Sequence, residues 1–207
     1  MASIVILIPS YLKNKNFHNC FVILFAGLLV TSIHINLIIE NPYRQSGSLK
    51  LNNSILKIDS NNNLKLNNKR AEYISFAREI ANKAGLVEGD YILDLTGKSP
   101  GLIYLLSAKS LGSPWMSGGN PGSFKYATAK LNLENCKKIS NSWILYDQGS
   151  RKISTDLVNI YGSNFINDYE EAGKWQAIES RGTWIQKLFK ARQPSEIYKK
   201  CILKRKL

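Results

Sequence analysis

Histidine is almost absent from this chain of 207 residues. Only His18 and His34 occur, and both lie in the first 40 residues. The rest of the chain therefore has no imidazole for Ser-His-Asp or Cys-His catalysis, and none to bind a metal ion. Any acid–base chemistry there would have to use carboxylates, lysines or tyrosines.

Cysteine is also scarce. The three cysteines are Cys20, Cys136 and Cys201, and none belongs to a C-x-x-C pair. The sequence therefore indicates no zinc site and no other metal site. Cys136 and Cys201 form a candidate disulfide if they lie in an oxidising compartment. Their pairing stays open at this point, because a disulfide needs Cα atoms within about 7 Å of each other.

The nucleotide-binding motifs are incomplete. GKS at residues 97–99 would need a glycine at position 92 to form a P-loop, and Ile92 stands there. The segment GLVEGDYILDLTGKSPG, residues 85–101, resembles the entry strand of class I methyltransferases. However, no Asp or Glu occurs between Leu95 and Leu133, where a ribose-binding acid would be expected. This gap argues against the methyltransferase alternative, and the sequence indicates no cofactor.

What the chain does contain is one long uncharged run. Residues 20–39, CFVILFAGLLVTSIHINLII, include no Lys, Arg, Asp or Glu. As a helix the run would be about 30 Å long, which matches the hydrocarbon core of a bilayer. We therefore predict a transmembrane helix, with a buried core helix as the alternative. A cleaved signal peptide is disfavoured, because the run is too long and ends in Glu40, Asn41 and Pro42.

The charges beside the run indicate its orientation. Lys13 and Lys15 precede it closely, whereas Glu40 and Arg44 follow it. The positive-inside rule places residues 1–19 on the cytoplasmic side of the cytoplasmic (inner) membrane and the later residues outside the cytoplasm. The first residues, MASIVILIPSYL, are apolar but too short to span a bilayer. They look like the end of a preceding transmembrane helix, which suggests the last piece of a polytopic protein.

The part of the chain after the run is basic. Removing Lys13, Lys15 and Glu40 from the counts of 28 basic and 15 acidic residues leaves 26 and 14, a net charge of +12. Beside a membrane, this charge favours anionic head groups or lipid-linked phosphates as partners, and the predicted location argues against nucleic acid. Residues 187–207 contain Glu196 as their only acid, and we predict that they form a solvated basic tail.

Hydrophobic periodicity predicts a linker at residues 40–48 and a layered α/β domain at residues 49–186. The Leu-Lys units at 49–53, 56–59 and 64–68 alternate apolar and polar residues, which predicts short strands and an N-terminal β-hairpin. The repeated LKLNN is equally consistent with a composition rich in Asn and Lys. The later predicted elements are a helix from Asn68 to near Gly85, a strand at 91–95, helices opening at 99–101 and 120–122, a strand at 142–146, a short helix at 154–161 and a strand at 174–178.

The loop after the strand at 91–95 is the best candidate site. Ligands of open α/β sheets bind at the carboxyl ends of strands, and helix N-termini attract anions. The candidate anion- or substrate-binding residues are Gly97, Lys98, Ser99, Gly118, Gly119 and Asn120. Asp94 is the only acid near Lys98 in the sequence, so we expect Lys98→Glu to weaken phosphate binding without disturbing the fold. Helix capping is the alternative explanation of all these residues, and no catalytic residue is assigned.

The order of these parts resembles the C-terminal region of GT-C-like polytopic membrane glycosyltransferases and their uncharacterised relatives. A final transmembrane helix at 20–39 precedes the turn NPYRQ, a strand, a Gly-rich loop and the helix with Leu102-Ile103-Tyr104-Leu105. Such families carry their catalytic carboxylate in an early extracytoplasmic loop that has no counterpart here. The resemblance implies a membrane-anchored, extracytoplasmic domain of cell-envelope glycan metabolism without a complete catalytic site. Its implied partners are the bilayer, other transmembrane segments and a lipid-linked phosphate or glycan.

Two other functions stay open at this point. One is a binding or assembly module that docks to a membrane partner through its basic face. The other is an autonomous enzyme that uses the carboxylates of Asp94 and Asp147 near the ends of two predicted strands. In most folded domains such carboxylates cap loops or pair with cations.

Overall fold

A computed structural model describes residues 15–42, 47–58, 62–149, 151–179 and 182–206. The chain divides into two compact units, Met1–Asn52 and Asn53–Leu207. The described part of the first unit contains one apolar helix, and the second unit is a mixed α/β domain that begins with a β-hairpin. The predicted fold class is therefore confirmed.

The apolar helix of the first unit is α1, Lys15–Glu40. Within the described part of the chain, its segment Cys20–Glu40 is the one helix long and apolar enough to cross a membrane, and none of its most apolar window is buried. Two polar side chains of the helix contact backbone carbonyls of the same helix. The Thr31 hydroxyl donates to the Gly27 carbonyl at 2.8 Å, and His34 Nδ1 lies 2.9 Å from the Val30 carbonyl oxygen.

A single 3-10 turn, Leu49–Leu51, is attached to the end of α1. Lys50 Nζ donates to Glu40 Oε1 at 2.5 Å, and Ser48 Oγ donates to the Ile39 carbonyl at 3.2 Å. The strand predicted at 49–53 is wrong. The Ser48 hydroxyl accepts a hydrogen bond from the Lys50 N–H and so caps a helical turn instead.

The second unit opens with the predicted hairpin. Strands β1, Ser54–Lys57, and β2, Asn63–Leu66, are antiparallel. Helix α2, Asn68–Lys83, follows directly, and the Asn67 side chain caps it by accepting from the Arg70 N–H at 2.9 Å. Leu56 and Leu66 of the hairpin bury their side chains against Ile74 of α2, which gives the hairpin one apolar face and one solvent face.

Five further strands form a mixed sheet in the order β4-β3-β5-β7-β6. Their bounds are β3 Tyr91–Asp94, β4 Lys109–Ser110, β5 Trp143–Tyr146, β6 Tyr169–Glu179 and β7 Gly182–Ala191. Strand β3 is parallel to β4 and β5, whereas β7 is antiparallel to both β5 and β6. The helical elements between and after them are α3 Pro100–Leu105, α4 Ser123–Asn132, α5 Cys136–Ser140, a 3-10 helix Thr155–Tyr161, α6 Phe165–Asp168 and α7 Pro194–Arg205.

Both faces of the central strands are covered. Leu93 of β3 and Ile144 of β5 belong to an apolar cluster that includes residues of α4, α5 and α7. Ile92 of β3 and Leu145 of β5 point the other way, into a cluster that includes residues of α2. This alternation explains why β3 and β5 read in the sequence as short, continuously apolar runs.

The C-terminal stretch is part of the fold, so the basic tail predicted at 187–207 is wrong. Residues up to Ala191 continue β7, and α7 buries Ile197 and Cys201. Five of the eight cations of this stretch pair with acids, in the pairs Lys187–Glu171, Lys190–Glu170, Arg192–Glu170, Lys199–Glu196 and Lys200–Asp168. Most of these acids lie on β6 and α6, which a count of charges within 187–207 does not include.

A disulfide joins Cys136 of α5 to Cys201 of α7, with the Cα atoms 5.7 Å apart. Both cysteines are buried in the larger apolar cluster. The bridge ties the last helix of the chain to the middle of the domain, across a sequence separation of 65 residues. Cys20, on α1, is a free cysteine.

Candidate functional site

Two buried aspartates stand at the carboxyl ends of adjacent parallel strands. Asp94 is the last residue of β3, and Asp147 follows Tyr146 at the end of β5. The two strands are in register, with Asp94 opposite Leu145. Because ligands of α/β folds gather at such strand ends, this edge of the sheet is the candidate site. We call it the strand-end cluster, which comprises Asp94, Thr96, Lys98, Ser99, Asp147, Trp184 and Gln186.

The Asp94 carboxylate organises the loop that follows β3. Its Oδ1 accepts hydrogen bonds from the Thr96 N–H at 2.9 Å and the Thr96 hydroxyl at 2.6 Å, and its Oδ2 accepts from the Ser99 N–H at 2.9 Å. Burial raises the pKa of Asp94, while these hydrogen bonds act in the opposite direction. The carboxylate is therefore engaged in shaping its own loop.

Ser99 occupies the N-cap position of α3, but the capping alternative does not describe its side chain. It precedes Pro100, the first residue of the helix, but its side chain makes no capping bond. Its hydroxyl oxygen instead lies 2.8 Å from the Thr96 hydroxyl and accepts from Gln186 Nε2 at 3.0 Å. The reason is that a buried amide on β7 needs an acceptor, and Ser99 provides it.

Gln186 connects this loop to α2 and β6. Its Oε1 accepts from the Tyr73 hydroxyl at 2.7 Å and from the Trp175 indole N–H at 3.0 Å. One buried amide thus joins α2, β6 and the loop after β3. Nothing in the local sequence around Gln186 indicates this role, because its partners lie in three distant segments.

Lys98 and Asp147 form a buried ion pair. The Lys98 ammonium lies 3.3 Å from Asp147 Oδ2, and the two side chains are 9% and 0% exposed. Asp147 Oδ1 accepts from the Gly149 N–H at 2.7 Å, whereas Oδ2 has no hydrogen-bond partner among the described residues. The pair is therefore held by charge attraction and not by a well-aligned hydrogen bond. The ammonium also lies 5.2 Å from the centre of the Trp184 ring.

This pairing corrects one expectation about Lys98. Asp94 is not the only acid near it, because β3 and β5 are neighbours and bring Asp147 to its ammonium. The positive charge is compensated inside the fold. Lys98→Glu would place a second carboxylate beside Asp147, so we now expect this substitution to destabilise the domain.

The predicted glycines bring backbone segments together. A Cβ added at Gly97 would clash with the carbonyl of Arg151, and one added at Gly118 would clash with the carbonyl of Lys152. The Ser117 hydroxyl donates to the Gly97 carbonyl at 2.7 Å, and the Gly118 N–H donates to the Arg151 carbonyl at 2.8 Å. The loops around residues 97 and 118 therefore do meet, but backbone fills the space between them.

The remaining candidates lie outside this packed region. Gly119 and Asn120 are exposed, and α4 begins only at Ser123, after Gly122 with a φ of +83°. Arg151 and Lys152 also have exposed side chains, although their carbonyls contact the two glycines. The sequence analysis did not include Arg151 and Lys152 among the candidates. Their position just beyond the end of a buried strand is the feature that could have indicated them. An anion-binding role of this region stays a prediction.

The described residues include no group of three or more His, Cys, Asp or Glu side chains that could hold a metal ion. No protein-family model, curated protein or solved structure matches the chain. The function is therefore argued from the chain's own geometry.

Proposed function

We propose that this chain is a membrane-anchored, extracytoplasmic α/β domain and the C-terminal portion of a polytopic membrane protein of cell-envelope glycan metabolism. The observation that carries the proposal is an exposed apolar helix of span length followed by a disulfide-bonded domain. The helix suits a lipid environment, because residues 20–39 carry no charge and none of its most apolar window is buried. The bridge between Cys136 and Cys201 suits an oxidising compartment. Together these features support an anchor with its domain outside the cytoplasm.

The link to glycan metabolism is supported by the order of parts, which resembles the C-terminal region of GT-C-like enzymes. In this proposal the domain carries no catalytic residue, since Asp94 is engaged by its own loop and Lys98 by Asp147. Its contribution is recognition. The exposed cations Arg151 and Lys152 lie at the strand ends, where they fit the phosphate of a lipid-linked intermediate.

The location is tested with a reporter that is active only outside the cytoplasm, fused after Leu207. We expect activity in cells, because Lys13 and Lys15 precede the apolar run and favour a cytoplasmic N-terminus. The matched control is the same fusion without residues 20–40, which should be inactive. Activity of a cytoplasm-only reporter at the same position would overturn the proposed location.

Recognition of phosphate is tested by titrating the full chain in nanodiscs with a polyprenyl phosphate and, separately, with the uncharged polyprenol. We expect tighter binding of the phosphate and a several-fold loss in Arg151→Glu/Lys152→Glu. The charge-matched control is Lys137→Glu/Lys204→Glu, since both lysines are exposed and lie outside the strand-end cluster. Equal binding of both lipids by all three proteins would remove phosphate recognition from the proposal.

A further inference from the structure

We infer that the solvent face of the β1–β2 hairpin is a contact surface for anionic lipid head groups. This hairpin face consists of Ile55, Lys57 and Lys65. The inference rests on the membrane anchoring in the proposed function and names the surface through which the domain meets the bilayer.

Strand geometry places the three side chains on one surface. Ile55 is directly opposite Lys65 across the hairpin, and Lys57 is two residues from Ile55 on the same strand. Leu56, between them, points into the core. Ile55 is 66% exposed, and both lysines are exposed. An apolar side chain therefore lies between two cations, a combination typical of surfaces that bind at a membrane interface.

The charge of the hairpin face is not compensated within the described structure. Neither Lys57 nor Lys65 has an acidic side chain within ion-pair distance among the described residues, whereas cations such as Lys187 and Lys200 each have one. Five of the eight cations of residues 187–207 are paired in this way. Among the described residues the hairpin face thus has no internal counter-charge, and a surface of anionic lipid complements its positive charge.

Only a short stretch of sequence separates the anchor from the hairpin. The 3-10 turn Leu49–Leu51 is bonded to Glu40 at the end of α1, and only Asn52 and Asn53 separate this turn from β1. Two residues span about 7 Å when fully extended. If α1 crosses the membrane, the hairpin therefore begins close to the head groups. Leu49 and Leu51 in the same stretch are exposed apolar residues, which also suits an interface.

This assignment accounts for the Leu-Lys repeat. In the hairpin, the leucines at 56 and 66 are buried in the domain, while the lysines at 57 and 65 face outward. Each strand of the hairpin thus has one leucine that packs in the core and one lysine that faces solvent.

The experiment uses the full chain with Cys20→Ser and Ile55→Cys, spin-labelled at residue 55 without reductant so that the disulfide is kept. The protein is placed in nanodiscs of phosphatidylcholine alone or with about 30% phosphatidylglycerol, a level that gives a clear negative surface potential. The readout is the collision rate of the label with a neutral, water-soluble nickel chelate. A label at Ile166→Cys is the control, because Ile166 is 81% exposed on a different element, α6.

We expect the collision rate at residue 55 to fall at least threefold on adding phosphatidylglycerol and to recover in high salt. Lys57→Glu/Lys65→Glu should abolish the fall, since each lysine favours the docked state about fivefold at an anionic surface. Lys137→Glu/Lys204→Glu and the label at residue 166 should behave as in the unchanged protein.

Two results would overturn the inference and are distinct from failure of the proposed function. One is an inserted protein whose label at residue 55 is equally accessible in both lipids. The other is protection that is equal in both lipids and insensitive to salt, which would indicate a second copy or another protein on this face. A chain that does not insert into nanodiscs at all would instead contradict the proposed membrane anchor.

Discussion

The ammonium of Lys98 lies 3.3 Å from the Asp147 carboxylate, inside the fold at the ends of two parallel strands. The pair joins the loop after β3 to the loop after β5. The sequence indicates Lys98 as a candidate anion-binding residue and Asp147 as a carboxylate of the enzyme alternative. In the folded chain these two charges satisfy each other, and the cations left for a partner lie elsewhere.

Asp147→Ala should lower the free energy of unfolding by roughly 3–5 kcal/mol, because it removes the Asp147 carboxylate that lies beside the buried Lys98 ammonium. The double substitution Lys98→Met/Asp147→Leu should cost much less, since it removes both charges. Chemical denaturation of the protein in detergent measures both changes. As a control, Glu79→Ala breaks the exposed pair with Lys83 and should cost no more than about 0.5 kcal/mol. Equal losses in the single and double variants would contradict the ion-pair account.

Gly97→Ala should destabilise the domain by about 3 kcal/mol or more, because its φ is +69° and an added Cβ would clash with the Arg151 carbonyl. Gly122→Ala is the matched control. Its φ is +83°, but no atom lies within 4 Å of the added Cβ, so only the backbone penalty of about 1 kcal/mol applies. Thermal unfolding measures the stability loss of each variant, and the difference between the two losses is the contribution of the steric clash at Gly97. Similar losses at both positions would show that the loops are not tightly packed at Gly97.

Gln186→Leu should lower the free energy of unfolding by about 3 kcal/mol, since it removes the buried Oε1 that accepts from both the Tyr73 hydroxyl and the Trp175 indole N–H. Tyr73→Phe removes one bond of the same network and should cost only about 1 kcal/mol. The measurement is again equilibrium denaturation. If Gln186→Leu is neutral, the buried network does not hold α2 and β6 to the loop.

The locally encoded elements were predictable from the sequence. The uncharged run indicated α1, alternation indicated the hairpin, and short apolar runs indicated β3 and β5. Strand β7 was missed because the buried position Gln186 is polar and Lys187 follows it, which hides the alternation. The Lys98–Asp147 pair could not be predicted either. It depends on β3 lying beside β5, and no local pattern records which strands are neighbours.

Alkylation of the unfolded protein without reductant should modify only Cys20, because Cys136 and Cys201 are bridged. Reduction, or Cys136→Ser/Cys201→Ser, should lower the free energy of unfolding by about 4 kcal/mol, the loop-entropy value for a closed loop of this length. Mass spectrometry counts the modified thiols, and denaturation measures the loss. Three alkylated cysteines before reduction would show that the bridge is absent.

The side of the membrane on which the domain lies is the central claim, and labelling with a membrane-impermeant maleimide tests it most directly. In a Cys20→Ser background, Ile166→Cys places a thiol on the exposed surface of the domain, and Lys13→Cys places one before the apolar run. Our account predicts that residue 166 is labelled in cells whose cytoplasmic membrane is intact, and that residue 13 is labelled only after lysis. The reverse pattern would place the domain in the cytoplasm and contradict the account.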